Sequence, residues 1–207
     1  MTTAFYRRTD TLQIARDLLG KLLVTTFEGE PTVGRIVETE AYKAPEDKAC
    51  HAYLNRNTKR TKTMFLPGGV AYIYLCYGIH HLFNVVTGPQ GAAHAVLVRA
   101  VEPVAGLETM LRRRGHRALS PQLSAGPGVM SQALGIHRRY DGYSLLAGES
   151  DITIMDDGLR LAPADIYAGP RVGIDYAEEC KDWPWRFCCL GNAFVSRPRP
   201  RPKRSSK

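Results

Sequence analysis

The sequence lacks the features by which membrane, exported and metal-binding proteins are usually recognised. The first 30 residues contain no uninterrupted apolar segment, and no later window approaches the roughly 18 apolar residues of a transmembrane helix. The five cysteines are unevenly spaced and include no Cys-x-x-Cys pair. We therefore expect a soluble intracellular protein with reduced thiols, no metal and no cofactor. Its compartment would be the cytoplasm, at the nucleoid in a bacterium, or the nucleus.

Internal repeats and a linker between folded domains are also missing. A chain of 207 residues, of which 44% are hydrophobic, can bury one core without disulfides. Its strand and helix patterns do not alternate in a βαβ rhythm. We predict an α+β fold with a single compact domain over residues 1–196, followed by a basic tail over residues 197–207.

Positive charge is concentrated in that tail. The formal net charge is +8, and the residues after Ser196 include six arginines and lysines but no acid. Alternating proline and arginine cannot bury apolar surface, so we expect the tail to be disordered or extended. It either adds salt-sensitive attraction to phosphate or only improves solubility, and its residues leave both readings open.

Two groups of basic residues lie inside the domain. They are Arg56, Lys59, Arg60 and Lys62, and Arg112, Arg113, Arg114 and Arg117. A body of small net charge with locally basic surfaces suits directional docking on a phosphate backbone.

Hydrophobic periodicity and turn residues predict the order of the elements. One helix is expected between Asp10 and Gly20, and two more, over residues 104–114 and 127–134, begin next to prolines. Strands are expected over residues 21–27, 32–40, 70–77, 81–87, 95–101, 152–155, 159–161, 171–174 and 186–195. The polar segment 43–63 is predicted to be a long loop, of a kind that often carries function.

Two carboxylates share one face of the second strand. Glu38 and Glu40 are two residues apart, and side chains in a strand alternate between faces. Either is a candidate general base, although a solvated strand face would look the same. His51 alone is more often a satisfied polar residue than a catalytic one. The zinc deaminase signature is absent, which excludes the most familiar metal-dependent chemistry on nucleobases.

Tyr77 stands beside Gly78 at the end of a predicted strand. An aromatic side chain at the tip of a two-stranded ribbon is hard to bury within the protein, and proteins that extract a base insert such a side chain into the stack. Packing back against the core is the alternative. Tyr72 and Tyr74 share the other face of the regular strand, where they line a pocket or pack in the core.

Taken together, many short segments resemble one family in both order and spacing. The matching segments are residues 37–42, 45–47, 64–65, 67–68, 72–84, 97–100, 102–103, 126–128, 132–135 and 169–173, with Ala49 and His51. Each is unspecific alone, but together they resemble the alkyladenine (3-methyladenine) DNA glycosylases. The resemblance extends to about residue 196, and the basic tail falls outside it.

This resemblance implies a curved antiparallel sheet with flanking helices and a protruding β-hairpin that enters the minor groove. It also implies a monofunctional enzyme that flips damaged purines out of double-stranded DNA. An activated water then hydrolyses the N-glycosidic bond and leaves an abasic site. The partner is duplex DNA containing 3-methyladenine, 7-methylguanine, hypoxanthine or ethenoadenine, and a monomer suffices.

The resemblance also implies roles for individual residues. Glu40 would be the general base and Arg99 would help to hold the water, while Tyr77 would intercalate. Tyr42, His51 and Tyr74 would form the walls around the flipped base, and Asn84 would exclude guanine by clashing with its exocyclic amine. The loop residues Arg56, Lys59, Arg60 and Lys62 are expected at the DNA backbone.

Two other classes of function remain compatible with the residues themselves. A non-catalytic nucleic-acid binding module would use the same basic loop and aromatic hairpin. A sugar-directed glycoside hydrolase would use Glu38 and Glu40 as its carboxylate pair.

Overall fold

Residues 1–200 are described by a computed structural model, and their centre is a curled antiparallel sheet flanked by helices in one compact α+β domain. The end of the predicted basic tail, residues 201–207, lies outside the described residues. The strands are β1 (Leu22–Thr25), β2 (Thr32–Lys43), β3 (Ala71–Cys76), β4 (His80–Thr87), β5 (His94–Ala105), β6 (Ile152–Met155), β7 (Ile166–Gly169) and β8 (Arg186–Cys189). The helices are α1 (Thr3–Tyr6), α2 (Thr11–Asp17), α3 (Leu107–Arg114) and α4 (Pro127–Ala133).

The long strand β2 organises the sheet. The strand order is β3-β4-β5-β2-β1-β6, and β8 pairs with both β2 and β7. The first half of β2 pairs with β1, whereas its second half, from Glu38 to Glu40, pairs with β8. Strand β5 runs along the other edge of β2 over nearly its whole length. The second half of β2 is therefore enclosed by β5 and β8.

One face of the sheet forms the main hydrophobic core. Ile73, Phe83 and Val98, from three strands, are buried in the same cluster as residues of all four helices. Burial of such side chains is the main stabilising contribution to a domain of this kind, at about 25 cal/mol per Å² of apolar surface. Thr39 belongs to this face too, because its hydroxyl donates to the Ala15 carbonyl of α2 at 2.8 Å.

The opposite face carries a row of polar and aromatic side chains across five strands. In register, Tyr72 of β3 lies opposite Asn84, Asn84 opposite Leu97, Leu97 opposite Glu40, and Glu40 opposite Arg186. Residues opposite each other in a sheet share a face, so the register brings these side chains together.

Most of the predicted elements are confirmed, and two predicted strands are wrong. Residues 159–161 and 171–174 are not strands, and β7, at residues 166–169, was missed because its pairing with β8 is long-range information. Residues 171–174 lie instead in a loop against the second half of β2. The strand expected over residues 186–195 ends at Cys189.

Pro103 does not begin a helix. Strand β5 continues through it to Ala105, because Pro103 pairs in register with Gly34 of β2. Helix α3 begins only at Leu107, after Gly106 at a φ of 73°. At Pro127, by contrast, the proline is confirmed as the first residue of α4, where no N–H partner is needed.

No helix within residues 1–200 combines the length and the apolar character needed to cross a membrane. All five cysteines are free thiols.

Candidate active site

A cavity of about 640 Å³ opens over the polar face of the sheet. This volume lies within the roughly 300–1,000 Å³ typical of small-molecule sites. Most of the predicted site residues line it, namely Tyr42, His51, Tyr74, Asn84, Arg99, Arg60 and, at the hairpin turn, Tyr77. Glu40 does not line the cavity, but its hydrogen-bond partners do. The structure thus brings together residues that lie up to 57 positions apart in the chain, from Tyr42 to Arg99.

The carboxylate of Glu40 is fully buried behind the cavity wall. Its Oε1 accepts a hydrogen bond from the backbone N–H of Val172 at 2.8 Å. Its Oε2 accepts from the Tyr42 hydroxyl at 2.8 Å and from Arg99 Nη1 at 3.3 Å. Since Tyr42, Arg99 and Val172 all line the cavity, the carboxylate lies directly beneath its surface.

Glu38 has a different environment, although it is equally buried. Its Oε1 accepts from Arg99 Nε at 2.9 Å, Arg186 Nε at 2.7 Å and Ser196 Oγ at 2.9 Å. Its Oε2 accepts from the Ser196 backbone N–H at 2.7 Å. Two of its three partners, Arg186 and Ser196, do not line the cavity. Glu38 is therefore a structural acid, which argues against a two-carboxylate glycoside hydrolase site.

Arg99 connects the two carboxylates. Glu40 lies opposite Leu97 in the sheet, and Arg99, two residues further along β5, extends from the same face. Burial disfavours the charge of Arg99, but Glu40 and Glu38 outweigh that cost and raise the pKa of its guanidinium. Arg99 is thus a permanently charged group, 7% exposed, between a structural acid and the cavity.

Tyr42 is held between the carboxylate and a second buried arginine. The guanidinium of Arg171 lies 4.7 Å from the centre of the Tyr42 ring and forms a bidentate ion pair with Asp47, at 2.6 and 2.8 Å. Burial, followed by the charge of Glu40, raises the pKa of the Tyr42 hydroxyl well above its usual value. The hydroxyl therefore remains a hydrogen-bond donor to Glu40.

His51 and Tyr74 form an aromatic corner in another part of the cavity. Their ring centres are 4.6 Å apart at an interplanar angle of 77°. Tyr72, 2% exposed, supports this corner from behind, since its hydroxyl lies 2.9 Å from His51 Nδ1. Burial, followed by the charge of Arg60, lowers the pKa of His51 to about 4. The imidazole is accordingly neutral near pH 7.

Asn84 is immobilised in the cavity wall. Its side-chain amide donates to the carbonyl oxygens of Tyr72 at 3.1 Å and of Leu82 at 3.3 Å, and the residue is only 3% exposed. A side chain held in this way cannot easily move to admit a larger ligand.

Tyr77 lies in the turn between β3 and β4, not on the strand as predicted. The turn is closed by the Ile79 N–H donating to the Cys76 carbonyl, and both Tyr77 and Gly78 have positive φ, 50° and 74°. These φ angles are typical of a type I′ hairpin turn, in which a bulky residue is strained. Tyr77 is 91% exposed, so the alternative in which it packs on the core does not apply.

The two basic groups differ in what they contact. Arg56, Lys59, Arg60 and Lys62 are all exposed, and Arg60 lines the cavity. Arg112 and Arg113 instead form ion pairs with Glu30, and Arg114 donates to carbonyl oxygens and to Gln132. The prediction that the second group serves phosphate docking is therefore not supported, because three of its members stabilise the fold.

Three groups that hold the carboxylates were missed by sequence reasoning. The backbone of Val172 lies within a recognised motif, but that motif gave no hint that an N–H would reach Glu40. Arg186 and Ser196 carry no local signal, and Ser196 was assigned only to the end of the domain. Register with β8 and the path of the chain after it bring them to Glu38.

The arrangement defines a class of protein before any comparison. Tyrosine and histidine rings line the cavity, and a buried acid bonded to an arginine lies behind its wall. The exposed Tyr77 of the hairpin turn and Arg60 of the basic loop also line the cavity. This combination is typical of an enzyme that acts on a single base of a nucleic acid.

Comparison with known proteins identifies the family. The sequence model of the methylpurine-DNA glycosylase (MPG) family matches residues 4–193. A protein of Chlamydia abortus is 48% identical over 185 residues, covering 89% of this chain and 95% of its own. Proteins of Natranaerobius thermophilus and Bacillus cereus are each 44% identical, over 93% and 91% of this chain and 96% and 95% of their own. All three bear the name "Putative 3-methyladenine DNA glycosylase".

The chain belongs to the methylpurine-DNA glycosylase family. It is a DNA glycosylase, a hydrolase of DNA repair whose partner is DNA. The family predicted from the motifs of the sequence is confirmed.

Proposed function

We propose that this glycosylase removes alkylated purines from double-stranded DNA, with 3-methyladenine as its type substrate. 7-Methylguanine, hypoxanthine and ethenoadenine complete the proposed substrate class. The names of the family and of its relatives support this class. The enzyme acts as a monomer where DNA is found, in the cytoplasm or the nucleus, and leaves an abasic site.

The observation that carries the mechanism is the difference between the two buried carboxylates. Glu38 accepts three of its four hydrogen bonds from Arg186 and Ser196, which do not line the cavity. Glu40 accepts all three of its hydrogen bonds from residues that do line it. Its Oε1 accepts only the bond from Val172, so this oxygen can also accept one from a water. These contacts support Glu40 as the residue that activates the water.

In the proposed reaction the water oxygen attacks C1′ of the deoxyribose while its proton passes to Glu40. The C1′–N bond breaks, and its electron pair leaves with the base. A purine alkylated at N3 or N7 is cationic, so it leaves as a neutral molecule. General base catalysis by one side chain contributes roughly 10²- to 10⁴-fold. Arg99 holds the water, and the positive charge of its guanidinium is offset by Glu38 and Glu40.

Base recognition is proposed to rest on Tyr42, His51 and Tyr74. The nucleotide must leave the duplex, because stacking hides both the glycosidic bond and the faces of the base. A cationic purine stacks favourably on electron-rich rings. Asn84, fixed by two backbone carbonyls, would clash with the exocyclic amine of guanine. 7-Methylguanine has the same amine and would be released despite the clash, because a cationic base is a better leaving group.

The hairpin and the basic loop are proposed to bind the duplex from the minor groove. Tyr77 would fill the gap left by the flipped base, which offsets part of an unstacking cost of a few kcal/mol. Of the four loop residues predicted at the DNA backbone, Arg56, Lys59 and Lys62 would contact phosphates, whereas Arg60 lines the cavity. The basic tail after Ser196 would add salt-sensitive attraction.

We expect no strand cleavage. A bifunctional glycosylase attacks C1′ with an amine, and among residues 1–200 no lysine lines the cavity. The lysines of the loop, Lys59 and Lys62, are outside it. Hydrolysis by water is the route that the lining residues support.

A base-release assay tests the proposal. Wild-type protein and Glu40→Gln are incubated with one duplex that carries each lesion in turn, and free base is measured in single-turnover reactions. Glu40→Gln should reduce release by about 10²- to 10⁴-fold while lesion-containing duplex is still bound. Strand breaks should form only after alkali treatment.

A matched control is available on the loop that follows β2. Glu46→Gln removes a carboxylate whose side chain is 47% exposed, and it should excise at the wild-type rate. Normal excision by Glu40→Gln would refute the assigned base. Failure of the wild-type protein to release any of the four bases would refute the proposed substrate class.

A further inference from the structure

Arg60 differs from the other basic residues of its loop. Its Nη2 lies 3.1 Å from His51 Nε2, and its guanidinium carbon lies 5.1 Å from the centre of the Tyr74 ring. It lines the cavity, whereas Arg56, Lys59 and Lys62 do not. The guanidinium therefore rests against the aromatic corner in which the proposed function places the flipped base.

The contact with Arg60 fixes the protonation of His51. A guanidinium can only donate, so Nε2 of His51 is the acceptor and carries no proton. The proton of the neutral ring is then on Nδ1, which donates to the Tyr72 hydroxyl at 2.9 Å. Burial and the charge of Arg60 keep the ring neutral. The unprotonated Nε2 thus faces a planar cation.

A purine cation would make the same two contacts. Like guanidinium, it is flat and positively charged, it stacks on an aromatic ring, and its exocyclic amine can donate to an imidazole nitrogen. Arg60 consequently competes with a cationic base for both Tyr74 and His51.

The backbone keeps the charge of Arg60 near the cavity even when the side chain moves. Thr61 Oγ1 donates to the Arg56 carbonyl at 2.8 Å and accepts from the Thr58 N–H at 2.9 Å. The Arg60 N–H donates to Thr58 Oγ1 at 3.2 Å. Only the side chain is free to swing, so a bound base and the guanidinium remain neighbours.

From this geometry we infer that Arg60 is a specificity-determining residue, whose positive charge disfavours cationic purines relative to neutral ones. The inference rests on the proposed function. Two unit charges about 5 Å apart at an exposed site repel by roughly 1 kcal/mol, which corresponds to about a fivefold change in a rate ratio. Neutral lesions such as hypoxanthine and ethenoadenine are free of this repulsion.

The test compares two variants that each lose one charge from the same loop. Single-turnover excision of 7-methylguanine, a cation, and of ethenoadenine, which is neutral, is measured for wild type, Arg60→Gln and Lys59→Gln. Arg60→Gln should raise the ratio of the 7-methylguanine rate to the ethenoadenine rate about fivefold. Lys59→Gln should leave the ratio unchanged, and Arg60→Lys, which keeps the charge, should stay close to wild type.

A second readout does not depend on activity. Titration of His51 by NMR should show a higher pKa in Arg60→Gln than in wild type, because the neighbouring positive charge is gone. An unchanged ratio in Arg60→Gln, or an equal rise in Lys59→Gln, would overturn the inference even if the enzyme is active. An unchanged pKa of His51 in Arg60→Gln would show that Arg60 does not contact His51. Absence of all excision in the wild type would instead refute the proposed function.

Discussion

The buried carboxylates lie behind the wall of the cavity, whereas the hairpin turn lines it, and the two regions differ in their exposure and backbone conformation. Glu38, Glu40 and Arg99 are at most 7% exposed, and their charged groups have hydrogen-bond partners within the protein. Tyr77 is 91% exposed and has a left-handed backbone that a tyrosine rarely adopts. The carboxylates are stabilised by their hydrogen-bond partners, while the conformation of Tyr77 lowers the stability of the folded state.

This contrast indicates where each region meets DNA. A network of buried charges must be complete in the free protein, because a missing partner would leave a charge unpaired. An exposed aromatic with positive φ costs of order 1–3 kcal/mol and gains nothing from the fold, so its benefit has to come from a partner. The carboxylate site is thus organised in the free protein, whereas we propose that the turn gains its contacts in the complex with DNA.

The largest effect on folding is expected at Glu38. Glu38→Gln leaves Arg186 and part of Arg99 without a buried counter-charge, which should cost about 3–5 kcal/mol of unfolding free energy. Glu40→Gln should cost much less, since Arg99 keeps Glu38 as its partner. Urea denaturation of both variants measures the difference. Equal losses would mean that the two carboxylates do not have separate structural roles.

The next effect concerns the hairpin turn. Tyr77→Ala should slow excision from duplex DNA roughly 10- to 100-fold, which corresponds to losing a few kcal/mol of compensation for unstacking. Excision from single strands should change little, because no stack has to be filled. Paired rates on duplex and single-stranded substrates decide the matter. A similar loss of rate on duplex and single-stranded substrates would show that Tyr77 does not fill the gap left by a flipped base.

The folding stability of a second Tyr77 variant provides a control for this prediction. Tyr77→Gly should have an unfolding free energy about 1 kcal/mol higher than wild type, since glycine tolerates the positive φ without strain. Denaturant titration measures this difference. A destabilised Tyr77→Gly would show that the side chain has a structural role after all.

The smallest effect separates the two basic groups. Lys59→Gln should reduce the salt dependence of DNA binding by about 0.9 in the log–log slope, as expected for one lost phosphate contact. Arg112→Gln removes the same charge from a residue paired with Glu30 and should not alter the slope. Binding titrations from low to moderate salt measure both variants. An equal change in both would place the second group on DNA as well.

Local pattern predicted most of the sheet, whereas the candidate site residues were proposed from the resemblance to a family. Alternation predicted that Glu38 and Glu40 share a face, and turn residues predicted the β3–β4 hairpin. The strands predicted at residues 159–161 and 171–174 were wrong. In this part of the chain, pairing selects the strands: β7 pairs with β8, and β8 pairs with β2. Local pattern does not contain that information. Pro103 alone predicts a helix start, because its pairing with Gly34, which keeps it in a strand, joins residues far apart in the sequence.

By itself, the sequence determined the fold class, the family and the residue types available for chemistry, because these depend on local periodicity and on the order of motifs. Only the tertiary structure decided which glutamate is held by residues that line the cavity. That distinction requires Arg99, Val172, Arg186 and Ser196 to meet the second half of β2 from four separate parts of the chain. It equally decided that Arg60, one of four similar basic residues in a loop, rests against His51 and Tyr74. Hydrogen bonds depend on distances of a few tenths of an ångström between groups remote in sequence, and no local pattern records them.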